Sequence, residues 1–281
     1  MASGSNKKGA KNKGGRGGAV SAARGSVAAK KQIPWGTIGA VVAILLLAVG
    51  VFGYYYVASS DQRAQRDREE AAAEFAPSQQ NPDPSTGIKG VVTEQYEAGA
   101  HVLPTERVAY DKTPPFGGPH DGIWAACNGV VYPEAVRTEN MVHSLEHGAI
   151  WIAYNPEQVT GEDLETLKLR AEGKPFTMMS PYPGLEAPIS LQSWGHQLKV
   201  DSVHDERIDQ FIAALRRNPN TYPEVGASCD ALGPGQFDPD NPPAFNPEPP
   251  GPDAKPMDYQ GSSGARDMGQ GQPQPGAPAE N

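Results

Sequence analysis

From Trp35 to Val57 the chain reads WGTIGAVVAILLLAVGVFGYYYV, with no charged position. A helix rises about 1.5 Å per residue and a hydrocarbon core is about 30 Å thick, so this run predicts a single transmembrane helix over 33–57. Trp35 at one end and Tyr54, Tyr55 and Tyr56 at the other fit the aromatic enrichment of the two headgroup layers. A cleaved signal peptide is the weaker reading, because its apolar core is usually about 7–15 residues long. The pattern then turns polar. DQRAQRDREEAAAEF continues the helix as a stalk, and PSQQNPDPSTG stops it, which defines a stalk and linker over 58–87.

Periodicity returns between residues 88 and 229. AIWIAY (149–154) and FTMMS (176–180) read as short strands, and the alternation over 189–200 reads as one longer strand. Thr160 before an acidic first turn predicts a capped helix running to about Ala171, ended by Gly173. Ile208, Phe211, Ile212 and Leu215 fall at i, i+3, i+4 and i+7 and predict a second helix over 205–217. This order implies an α+β domain, a small sheet with helices packed on one face. From Asp230 to Asn281 Pro and Gly are frequent and large apolar residues scarce, a composition that predicts a disordered tail over 230–281.

Charge adds a direction across the membrane. Eight basic residues and no acidic one precede the apolar run. Basic flanks stay cytoplasmic, so the expected protein is a single-pass plasma-membrane protein with its N-terminus inside and its domain extracytoplasmic. Residues 1–32 cannot bury a core and read as a disordered cytoplasmic tail, drawn to anionic lipid by about 1 kcal/mol per basic residue near the surface. The formal net charge of −9 hides an asymmetry: 16 of the 24 basic residues follow the run, against all 33 acidic ones. An acidic domain argues against nucleic acid as a partner and is compatible with attracting cations.

All six histidines and both cysteines lie after the apolar run. His143 and His147 in HSLEH are four apart, which on a helix puts both rings on one face. His-x-x-Glu-His is also the inverted zincin pattern, with Glu146 as general base, although TENMV allows only a short helix before Gly148. His120, in PPFGGPH, and His101 are the best sources of further ligands. Imidazoles converging from separate segments suit zinc or copper equally. The alternative is structural: rings bonded to backbone carbonyls, to Glu146 or to Glu139. Glu146 can equally be a carboxylate that fixes a ring tautomer. His196 and His204 carry less weight, the first within a strand pattern and the second at a helix start. Trp124, Trp151 and Trp194 read as core or site-wall aromatics. Cys127 and Cys229, on the oxidising side of the membrane, favour a disulfide closing a long loop. A thiolate metal ligand at Cys127 is the alternative.

His101, PPFGGPH, Trp124, Cys127, ENMVHSLEHGAIWIAY, SPYPGL, SWGHQL and PEVGASC together resemble the bacterial family known as domain of unknown function 3105, across roughly residues 88–229. The resemblance implies a single-span membrane protein with an exported domain, in a family frequent in actinobacteria, and supplies no activity. Position by position it carries over His101, His120, Cys127, His143, Glu146, His147 and Cys229. His196 and Asn128 depart from the family pattern. Three functions follow as expectations: metal binding through His101, His120, His143 and His147 in a non-enzymatic accessory role; an envelope module with structural histidines that binds a protein partner; or a zinc hydrolase with Glu146 as base.

Overall fold

In the computed structural model, residues 34–233 and 235–261 are described. The basic N-terminal tail and residues 262–281 of the expected C-terminal tail lie outside them. α1 (Trp35–Ala72) carries the apolar run and is, among the described residues, the one helix long and apolar enough to cross a membrane. The charged, alanine-rich stretch continues this helix, as its composition predicts.

Among the described residues eight strands follow: β1 (Val92–Thr93), β2 (His101–Val102), β3 (His120–Asp121), β4 (Asn128–Val131), β5 (Ile150–Tyr154), β6 (Thr177–Pro181), β7 (Ile189–Ser193) and β8 (His196–Val200). α2 (Thr138–Glu146), α3 (Gly161–Lys168) and α4 (Arg207–Leu215) are the α-helices that follow α1 among the described residues. Six strands form one sheet in the order β1-β8-β7-β5-β6-β4, while β2 and β3 pair separately. The sheet is mixed. β5 runs parallel to β6, reached through α3, and antiparallel to β7.

Strand alternation divides the core in two. Trp151 and Ala153 point to one side, where they meet Met141, Val142 and Leu145 of α2. Ile150 and Ile152 point to the other, where they meet Leu167 of α3 and Ile208, Phe211 and Leu215 of α4. Helices therefore cover both faces, and the expectation of one helical face is corrected. The reason is that β5 is apolar at every position, as a strand buried on both sides must be.

The single strand expected over 189–200 is a hairpin, β7 pairing antiparallel with β8 across Trp194-Gly195. Gly195 has φ +70°, and a Cβ there would lie 2.6 Å from the Glu94 carbonyl, so the turn depends on glycine. α3 ends at Lys168, short of Ala171, and Thr160 makes no side-chain cap bond.

The folded unit is wider than 88–229. On the N-terminal side Gln65 and Ala72 of α1 are buried, and Glu69 pairs with Lys174 at 2.8 Å, so the expected spacer packs on the domain. On the C-terminal side residues 235–261 form a strap instead of a disordered tail. Phe237 is fully buried edge-on to Tyr132, and Phe245 lies 5.0 Å from Tyr182. Val136 bridges to Ala244 and Val108 to Lys255. Two aromatic anchors and these backbone pairs hold a segment whose prolines already restrict the unfolded chain and lower the entropy lost on ordering.

Candidate metal centre

α2 organises the site. Glu139 in its first turn complements the helix dipole, and Met141, Val142 and Leu145 turn inward. The helix ends in paired terminal bonds, Gly148 N–H to Leu145 O at 2.9 Å and Ala149 N–H to Ser144 O at 3.2 Å, with Gly148 at φ +86°. His143 and His147 thus occupy the last turn and its cap. Asn140 Nδ2 donates to Ile123 O and Ser144 Oγ to Ala125 O, which fastens α2 to the segment after β3.

β2 and β3 supply the other two rings. Their parallel pairing sets His101 opposite His120, with ring centroids 4.9 Å apart. The His143 ring lies 5.1 Å from His101, 4.8 Å from His120 and 4.7 Å from His147. All four expected histidines therefore come together, and all are buried. Trp124 and Trp194 wall them, at 4.7 Å from His147 and 5.8 Å from His120.

Three of the rings share one orientation. Nδ1 of His120 bonds to Gly118 O at 2.8 Å, that of His143 to Asp121 O at 2.6 Å and that of His147 to Ser228 O at 2.5 Å. A carbonyl only accepts, so each Nδ1 carries a proton, and a ring with no second proton presents an Nε2 lone pair. Carboxylates meet two of these lone pairs. His120 Nε2 is 2.9 Å from Glu146 Oε2, and His147 Nε2 is 3.1 Å from Glu224 Oε2, contacts poorly directed for hydrogen bonds. Glu146 is oriented by its other oxygen, which accepts the Gly99 N–H at 2.8 Å.

Electrostatics separate the rings. Burial opposes a charge on His120, yet the Glu146 carboxylate beside it outweighs this and raises its pKa above the ordinary value. Burial and three neighbouring imidazoles hold His143 well below that value, so it stays neutral. Burial works against the Glu146 carboxylate, while His120 and the Gly99 N–H pull its pKa down.

Two donor groups result: His101, His120, His143 and Glu146, and His143, His147 and Glu224, the donor atoms of each lying within 4.8 Å of one another. A lone pair facing a carboxylate needs a cation between them, a proton or a metal ion. The buried His/Glu group is positioned to bind a metal ion. Nitrogens about 2.1 Å from a tetrahedral ion stand about 3.4 Å apart, so binding would draw the donors closer.

Residues 101–231 match the family described as "Protein of unknown function (DUF3105)". The match supports the family resemblance carried by the motifs of that region. No curated protein and no solved structure matches the chain. Within this DUF3105 region Cys127 and Cys229 form a disulfide, which removes the thiolate-ligand reading. His196 lies outside the cluster, its Nε2 3.2 Å from Asp83 and its Nδ1 on Trp194 O, and His204 is exposed. Glu139 contacts no histidine and instead accepts the Val108 N–H. Trp151 is a core residue bonded to Ser180. Sequence reasoning missed Glu224. The signal available was its position five residues before Cys229, since the disulfide draws that turn back to the histidines.

Proposed function

We propose that this chain is a membrane-anchored protein whose extracytoplasmic domain binds one transition-metal ion, zinc or copper, within the cluster of His101, His120, His143 and His147, with Glu146 as an added oxygen donor. Its role is accessory, sequestering or delivering the ion, and involves no turnover. The observation that carries the reading is the common orientation of His120, His143 and His147, each with Nδ1 on a backbone carbonyl and Nε2 turned toward the cluster. That arrangement is how second-shell bonds prepare a metal-ligating imidazole. The basic flank before α1 supports a cytoplasmic N-terminus, and the disulfide supports an oxidising compartment for the domain. Glu146 Oε1 is held by the Gly99 N–H while Oε2 faces His120 Nε2 at 2.9 Å inside the cluster, which favours a ligand over a general base acting on water.

The test is elemental analysis of the full chain purified in detergent after growth with zinc and copper. One ion per chain is expected, falling to a small fraction in His143→Ala while Glu139→Gln keeps it. A wild-type chain without stoichiometric metal would remove the reading.

A further inference from the structure

The two donor groups are not independent, because both use His143. Its Nδ1 is committed to Asp121 O, which leaves one nitrogen, and one lone pair serves one ion at a time. The groups also differ in depth. His120, His143 and Glu146 have no exposed side-chain surface, whereas Glu224 keeps 18% of its side chain exposed. It sits in a turn whose next residues, Val225 and Gly226, are exposed. The inner group is covered from the strap side, where Gly261 lies against the His101 backbone and Met257 against Gly118. A cleft of about 600 Å³ lies beside the Glu224 turn, lined by Tyr96, Trp194, His196, Tyr222 and Pro223.

We propose that the cluster holds a single ion in two overlapping positions, an inner one (His101, His120, His143, Glu146) and an outer one (His143, His147, Glu224), and that the ion enters and leaves through the outer one. This rests on the metal-binding reading above. His143 stays bound while the remaining donors are exchanged one at a time, so the ion passes between positions without ever being released bare into the protein interior. Two links keep the positions in register: the Glu224 N–H donates to the Glu146 carbonyl at 3.1 Å, and Glu146 and His147 are consecutive as the last residue of α2 and its cap. The outer carboxylate is then the first group an arriving divalent cation meets and the last a departing one leaves. An acceptor presenting its own donors in the adjoining cleft would take the ion from His147 and Glu224.

The test uses the full chain in detergent, loaded with Co²⁺ alone and challenged with EDTA, and follows cobalt absorption by stopped flow. Wild type should hold one Co²⁺. Glu224→Gln, which preserves shape at a partly exposed position, should also hold one but yield it about tenfold more slowly, a decade being about 1.4 kcal/mol of barrier. Glu224→Asp should recover part of the rate. His120→Asn, which strips the inner position, should yield the ion faster than wild type and with an altered cobalt spectrum. An unchanged rate in Glu224→Gln overturns the proposal, as does loss of the ion in that variant or binding of two ions per wild-type chain. Each of those results leaves the metal site standing, whereas a wild-type chain that takes up no Co²⁺ removes both readings.

Discussion

The Cys127–Cys229 disulfide joins residues 102 positions apart, and it also sets the outer half of the cluster. Ser228, beside Cys229, accepts the His147 Nδ1 proton at 2.5 Å, and Glu224 lies just upstream. Closing a loop of that length removes unfolded-chain entropy worth about 4 to 5 kcal/mol at 25 °C in the chain-entropy treatment. Other bonds hold the same segment: Cys127 N–H to Cys229 O at 2.9 Å and Trp124 Nε1 to Asp230 O at 3.0 Å. These persist when the covalent link is cut, so the cost should come through the unfolded state. The perturbation is Cys127→Ala with Cys229→Ala, since both sulfurs are buried and alanine leaves no stranded polar group. Denaturant unfolding of the full chain in detergent, followed by tryptophan fluorescence, should show a loss of about 4 to 5 kcal/mol, a large share of the roughly 5–15 kcal/mol typical of a domain. A loss below about 1 kcal/mol, with an unchanged denaturant slope, would refute the loop-closure argument.

Two further outcomes follow from buried charge. Arg170 is fully buried and donates to both carboxylate oxygens of Asp209 at 2.9–3.2 Å, with Arg68 3.7 Å from the same group. Asp209→Asn strands that guanidinium and should cost about 3–5 kcal/mol in urea unfolding, while Arg170→Met with Asp209→Leu recovers most of it; a single-variant cost under about 1 kcal/mol would sink the account. Burial works against the Asp83 charge, but His196 and Ser85 hold its pKa below the ordinary value, so its contribution to stability is complete above about pH 4 and fades as the solution is acidified through the folded value. Asp83→Asn should therefore melt below wild type at pH 6 and approach it on acidification; an equal gap throughout would contradict this linkage.

Local patterns carried much of the fold. The apolar run, the β5 and β6 segments, the stripe on α4 and the four-residue spacing of His143 and His147 each follow from a periodicity within one element. What was hidden depends on partners distant in sequence. The β7–β8 hairpin reads as one strand because Trp194-Gly195 interrupts the alternation by only two residues, and its turn becomes visible once Glu94 crowds Gly195. The strap looks disordered by composition because its two anchors, Phe237 and Phe245, are diluted among prolines. His101 and His120 were legible as candidates, but their contact arises from a two-residue parallel pairing that leaves no periodic trace. Glu224 lies within PEVGASC, but only the disulfide, which joins residues 102 positions apart, brings that run to the histidines.

The charge balance of the cluster explains why these donors fit a cation better than a structural core. Among the described residues, the ion-pair partners of Glu146 and Glu224 are His120 and His147, imidazoles that carry no permanent charge and whose Nδ1 atoms are already committed to backbone carbonyls. Asp121, whose carbonyl orients His143, is by contrast paired with Arg137. Neither carboxylate has a permanent positive neighbour, and for the fully buried Glu146 desolvation costs several kcal/mol, while Glu224 stays partly exposed. Protonating His120 neutralises one of them and leaves the second. One divalent ion at either position compensates the carboxylate there and meets the Nε2 lone pairs, and at the inner position it displaces the proton that Glu146 favours on His120. Metal uptake near neutral pH should therefore release protons, and titration calorimetry in buffers of different ionisation enthalpy should show a buffer-dependent heat. A heat independent of buffer would mean that the imidazoles are already unprotonated without metal, and the buried Glu146 carboxylate would then need another source of compensation.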